Sequence, residues 1–111
     1  MEIKSLEEKG FVVVEISGEL DTMTTSKADI FLKDLLKKGN KKFAIDFSGV
    51  NYISSTGLRL LLTMAKELKA KQGVLRIFAL SESVKEIFDI SGFSSILTIV
   101  KDKLEAIKDG P

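Results

Sequence analysis

Asp46-Phe47-Ser48-Gly49-Val50-Asn51-Tyr52-Ile53-Ser54-Ser55-Thr56-Gly57-Leu58-Arg59 is the stretch on which the fold turns. A buried-looking strand ends in it, three hydroxyls follow in a row at Ser54, Ser55 and Thr56, and a long helix begins. A serine at a helix start acts as the N-cap, its side chain accepting from an otherwise orphaned N–H of the first turn. One cap accounts for only one of the three hydroxyls. The same helix start carries roughly half a positive charge and several free N–H donors, so it also accommodates a phosphate. A strand that delivers a hydroxyl cluster to a helix start is where function is expected.

Working outward, Lys42 to Phe47 reads as a strand and Thr56 to Gln72 as a helix whose stripe is Leu58, Leu61, Leu62, Ala65 and Leu68. Leu60 and Met64 lie off that stripe and widen the apolar face as ordinary core. Upstream, Phe11 to Ile16 is rich in β-branched residues and suits a strand covered on both faces, preceded by an edge strand paired through the Glu8-Lys9-Gly10 turn. From Ser26, Ala28, Phe31, Leu32, Leu35 and Leu36 recur at helical spacing, and Gly39 follows as the C-terminal cap. Downstream come a strand at Val74 to Leu80, a helix at Glu82 to Ile90 on Val84, Ile87 and Phe88, a short strand at Leu97 to Val100 and a last helix near Asp102 to Lys108. Asp109, Gly110 and Pro111 are expected to fray. Strands separated by single helices call for parallel pairing with right-handed crossovers. The expected class is α/β: a small mixed, mainly parallel sheet of four to five strands with about four helices. Ser-Gly pairs at 17–18, 48–49 and 91–92 read as turn chemistry.

Composition narrows the chemistry. The 111 residues make one domain, 44% hydrophobic, whose core buries roughly two-thirds of the unfolded chain's surface. With Lys+Arg 17 against Asp+Glu 16, the net charge of +1 sets up no field that holds a polyanion, so direct nucleic-acid binding is not expected. No Cys and no His are present, so the usual ligands of zinc and copper are missing; calcium or magnesium on carboxylates stays open but has no signal in the sequence, and no metal or cofactor is assigned. Met1-Glu2-Ile3-Lys4 does not open a signal sequence, and no apolar run approaches the ~20 residues of a membrane span. The reading is a cytoplasmic protein without membrane insertion.

Catalysis finds little support. Without His the Ser-His-Asp arrangement is impossible; no Ser is followed three positions later by Lys, and no Gly-x-Ser-x-Gly elbow occurs. No Gly-x-Gly appears, and no Gly is followed by Lys, so phosphate-cradling loops are missing too. No catalytic residue is assigned and the chain is read as a non-enzyme. Asp21 and Asp46 stand out because they lie near predicted strand ends, where loops gather in open α/β sheets. Each has a local explanation: Asp21 begins the turn before the first helix, and Asp46 bonds nearby N–H groups. An enzyme using both on a small substrate is the competing hypothesis. The run Lys37-Lys38-Gly39-Asn40-Lys41-Lys42 reads as a solvated helix-to-strand turn.

Ser17-Gly18-Glu19-Leu20-Asp21, together with Asp46-Phe47-Ser48-Gly49-Val50 and Tyr52-Ile53-Ser54-Ser55-Thr56-Gly57-Leu58, resembles the STAS-domain anti-sigma factor antagonists. The likeness spans essentially the whole chain, and Val84-Lys85-Glu86-Ile87-Phe88 with Ser91-Gly92-Phe93 resembles the family's third helix and its exit. It implies a single STAS domain over residues 1–111 and a partner switch. The unphosphorylated antagonist binds an anti-sigma factor serine kinase and frees the sigma factor, phosphorylation ends the complex, and a serine phosphatase resets it. The family's Asp-Ser-Ser/Thr-Gly pattern puts the acceptor at Ser55, followed by Thr56 and Gly57. Ser54 stands where many members have Asp, so Ser54 and Thr56 are the neighbouring alternatives. The resemblance implies a partner-binding surface of Asp21, Ser54, Ser55, Gly57 and Arg59, on a monomer or weak homodimer. The alternative of the same fold is a constitutive binding subunit of a lipid-transport or signalling scaffold assembly, in which Ser54 and Ser55 only cap the helix.

Overall fold

A computed structural model describes residues 1–108, so the expectation for Asp109, Gly110 and Pro111 lies outside the described residues. Strand β1 (Glu2–Glu8) turns at Lys9-Gly10 into β2 (Phe11–Leu20), and helix α1 (Thr22–Lys37) leads to β3 (Lys42–Ile53). Helix α2 (Ser55–Ala70), β4 (Val74–Phe78) and α3 (Glu82–Ile90) follow. A 3-10 turn (Phe93–Ser95), β5 (Ile99–Val100) and α4 (Lys103–Ala106) complete the described fold.

The five strands lie in chain order, β1-β2-β3-β4-β5. β1 runs antiparallel to β2, and every later neighbour is parallel. Right-handed crossovers that always step in one direction stack their helices on one face of the sheet. Accordingly Val12, Val14, Ile16, Phe43, Ile45, Phe47 and Ile77 share one core with Leu32 of α1, Leu61 of α2 and Phe88 of α3. Phe47 and Phe88 meet edge to face there, with ring centroids 6.1 Å apart. On the opposite face Phe11, Val13, Ala44 and Phe78 pack with Ala106 and Ile107 at the end of the chain. That is why β2 reads as a nearly unbroken apolar run: each face has its own cover.

Several boundaries move from the sequence reading, each for a tertiary reason. α1 begins at Thr22 and not Ser26, because Asp21 and Thr24 close a capping box that starts the helix a turn earlier. β3 runs on past Phe47 to Ile53 as a strand, alongside an equally lengthened β2. Register shifts between Glu15 and Ser17 and between Gly18 and Glu19 set two extra β3 residues into the pairing. Each bulge turns a two-residue step into three, so Phe47, Val50 and Ile53 all reach the same core at a spacing that suits neither a regular strand nor a helix. Ser17-Gly18 and Ser48-Gly49 therefore lie within strands and are not turns. At Gly49 a Cβ would come within 2.8 Å of the Ser17 Cβ, so the bulged strands approach too closely for any side chain. β4 ends at Phe78 and β5 is only Ile99–Val100, both shorter than expected, whereas α3 occupies the span expected for it.

Candidate functional site at the carboxyl edge of the sheet

Parallel β2, β3 and β4 all end at the same edge of the sheet, and each hands over to a helix there. Asp21, Ser54 and Ser81 are the three N-caps. The first two are held side by side: Leu20 pairs with Ile53, and the Ser54 N–H donates to the Leu20 carbonyl at 2.8 Å. The Gly-Glu-Leu-Asp loop and the hydroxyl cluster are thus neighbours in space.

At the α1 start Asp21, Thr24 and Thr25 are tied into the fold, while the exposed Thr22 hydroxyl has no hydrogen-bond partner among the described residues. The Asp21 carboxylate accepts from the N–H of Thr24 at 2.9 Å and of Met23 at 3.0 Å. The Thr24 hydroxyl accepts from the Asp21 N–H at 2.9 Å and donates to the Glu19 carbonyl at 2.7 Å, while the Thr25 hydroxyl donates to the Asp21 carbonyl at 2.6 Å. The Thr24 N–H above all, with help from that of Met23, holds the Asp21 carboxyl below its ordinary pKa. Asp21 is therefore a charged cap in the native state.

The α2 start is built more sparingly. Ser54 is the cap, and its hydroxyl accepts from the Gly57 N–H at 3.2 Å. Ser55 is the first helical residue; its side chain is exposed and its hydroxyl has no hydrogen-bond partner among the described residues. Thr56 is half-buried. No acidic residue stands in the first turn, so the positive end of this helix has no carboxylate of its own there. Arg59, one turn on, is exposed, and the i,i+4 spacing puts it on the same face as Ser55.

Gly57 is buried, and a Cβ there would meet the Ile53 Cγ1 at 2.8 Å and the Leu20 carbonyl oxygen at 3.2 Å. The residue is small so that α2 can start hard against the ends of β2 and β3. Asp46 does not join Asp21. It lies inside β3, seven residues before Ile53 and beside Glu15, where its carboxylate accepts from the Ser48 N–H at 2.8 Å. A shallow pocket of about 240 Å³ passes between Asp46, Glu15, Lys4 and Ser17, away from the helix starts. The structure thus does not bring together the two-carboxylate arrangement that an enzyme reading requires. Among the described residues no group of three or more His, Cys, Asp or Glu is placed to hold a metal ion. No helix there is long and apolar enough to cross a membrane.

Sequence reasoning missed Met23 and Tyr52. Met23 is 85% exposed beside the Asp21 cap, and Tyr52 is 44% exposed three residues before Ser55. The signal for Met23 was the Asp-x-x-Thr spacing at Asp21 and Thr24, which moves the helix start upstream and puts Met23 in its first turn.

The model of the STAS domain matches residues 2–106. The chain belongs to the STAS-domain family of anti-sigma factor antagonists. The anti-sigma-B factor antagonist of Listeria monocytogenes is 33% identical over 84 residues, covering 76% of this chain and 74% of that protein. Among solved structures, an anti-sigma factor antagonist from Mycobacterium paratuberculosis aligns with a TM-score of 0.84 at 20% identity, over 96% of this chain and 89% of that one. The Bacillus cell fate determinant SpoIIAA in its phosphorylated form aligns with a TM-score of 0.73 at 20% identity, over 94% of each chain. These structural likenesses speak for the STAS fold, and the five-stranded mixed sheet described above is that fold.

Proposed function

We propose that this STAS protein is an anti-sigma factor antagonist worked by phosphorylation, with Ser55 as the acceptor. The unphosphorylated form binds an anti-sigma factor that is also a serine kinase, releasing the sigma factor. Phosphate on Ser55 ends that complex, and a serine phosphatase restores it. One observation carries the choice of residue: Ser54 is occupied as the helix cap, whereas the Ser55 hydroxyl is exposed and unbonded. A kinase can transfer a phosphoryl group to that oxygen without dismantling any contact of the fold.

Phosphate adds a charge of about −1.5 to −2 at neutral pH. The helix start stabilises it locally by roughly 0.3–1 kcal/mol, so the modified protein stays folded. A partner seated over Asp21, Met23 and Tyr52 must then desolvate the phosphate next to the Asp21 carboxylate. An unfavourable contribution of about 3 kcal/mol weakens binding by about two orders of magnitude. Release follows from charge alone.

The test is to incubate the protein with the ATP-dependent anti-sigma factor of its own organism and map the phosphate by mass spectrometry. Modification is expected at Ser55, and Ser55→Ala is expected to abolish it while keeping the complex. Ser55→Asp is expected to weaken the complex. Equal affinity of the Ala and Asp variants would instead favour a constitutive STAS binding subunit.

A further inference from the structure

At the far side of α2 from Ser55 the sheet has an unfinished edge. Backbone groups alternate along a parallel strand. The Val74 N–H donates to Lys41 on the β3 side, and the Ile77 N–H donates to the Thr98 carbonyl at 3.0 Å on the β5 side. Leu75, two residues before Ile77, therefore turns its N–H and C=O toward the β5 side. β5 pairs with Ile77 and Phe78, and among the described residues no strand lies beside Leu75 on that side. The space that a longer β5 would fill is a groove of about 590 Å³ between the C-terminal half of α2 and the 96–98 segment. Leu62, Leu68, Leu75 and Ile96 give it an apolar lining, and Ile96 is 59% exposed there. Lys66 and Lys69 stand on its α2 rim, both exposed and neither paired with a carboxylate among the described residues.

We propose that this groove is a second docking site, which takes a short extended segment of another protein, apolar at its centre and acidic at its flanks, by strand addition to β4. The open backbone pair at Leu75 supplies the hydrogen bonds of strand addition, and the groove supplies pockets for apolar side chains. The rim decides the occupant. Two unpaired lysines attract carboxylates and oppose a second copy of this chain, which would bring the same lysines with it. A fatty acid would satisfy the lining and the charge but would leave the Leu75 amide open. The site does not depend on Ser55.

The test titrates isotope-labelled full-length protein with an acetylated, amidated heptapeptide of three central valines between pairs of glutamates, followed by amide NMR. Saturable shifts are expected at Leu62, Leu75 and Ile96, with slowed hydrogen exchange at the Leu75 amide. The corresponding peptide with lysines in place of glutamates should bind at least tenfold more weakly. In a Lys66→Glu, Lys69→Glu double variant that preference should reverse, and Ser55→Asp should change nothing. The proposal is overturned by an absence of saturable groove shifts or by equal binding of the two peptides. It is likewise overturned by shifts with decanoate but not with peptide, or by the same shifts appearing when the protein alone is concentrated.

Discussion

The starts of α1 and α2 lie side by side at one edge of the sheet, yet they are built to opposite ends. The α1 start has a carboxylate cap that accepts two N–H bonds and a threonine that returns the favour. The α2 start has a neutral cap with one bond of 3.2 Å. Beside each cap the first helical residue, Thr22 in α1 and Ser55 in α2, has an exposed hydroxyl without a partner among the described residues. Two helices that need the same thing, negative charge at the N-terminus, receive it differently. In α1 the charge is permanent and local. In α2 it is absent from the cap and first turn, which leaves room for a charge that is added and removed.

The change that would break this comparison most is Gly57→Val. A side chain there collides with Ile53 and the Leu20 carbonyl, so it pushes the two helix starts apart. Urea unfolding is expected to show a loss of about 1–3 kcal/mol, as for other overpacked sites. An unchanged midpoint would mean that α2 is not wedged against the strand ends as described.

Asp21→Ala comes next and tests whether the α1 cap is structural. Its carboxyl has a lower pKa folded than unfolded, so its contribution is fully present above the unfolded pKa and lost as pH falls through the folded one. The urea midpoint of the variant should therefore lie below that of the parent at neutral pH. The gap should narrow as pH drops below the ordinary carboxylate value of about 3.9. A gap independent of pH would assign the loss to packing and not to the charged cap.

Ser54→Ala is expected to cost about 0.5–1 kcal/mol, the low end for a cap, because its single bond is long. Ser55→Asp is the smallest effect and has the opposite sign. It should leave unfolding stability unchanged or raise it by about 0.3–1 kcal/mol, read as a modest rise in thermal midpoint. A clear destabilisation by Ser55→Asp would show that the α2 start does not tolerate the charge on which the proposed switch depends.

Much of this was legible in the chain. α3 was readable to its ends because Ser81, Val84 and Phe88 carry cap and stripe in a single short window. The hydroxyl cluster announced the α2 start for the same local reason. The second half of β3 was not legible, since two bulges space Phe47, Val50 and Ile53 by threes and erase the alternation by which strands are recognised. Met23 escaped notice because its exposure depends on where α1 begins, and that is decided by the Asp21 and Thr24 box.

By itself, then, the sequence determined an α/β order, its apolar stripes and three hydroxyls at one helix start, all of them consequences of short-range periodicity and propensity. Which hydroxyl caps and which stays free was decided only in three dimensions. The Ser54 N–H is tied to the Leu20 carbonyl, far earlier in the chain, and that bond sets the direction in which the backbone enters α2. The entry direction turns Ser54 onto the Gly57 N–H and leaves Ser55 facing water. No local pattern encodes that, because its cause is the pairing of two strands that meet only once the sheet has formed.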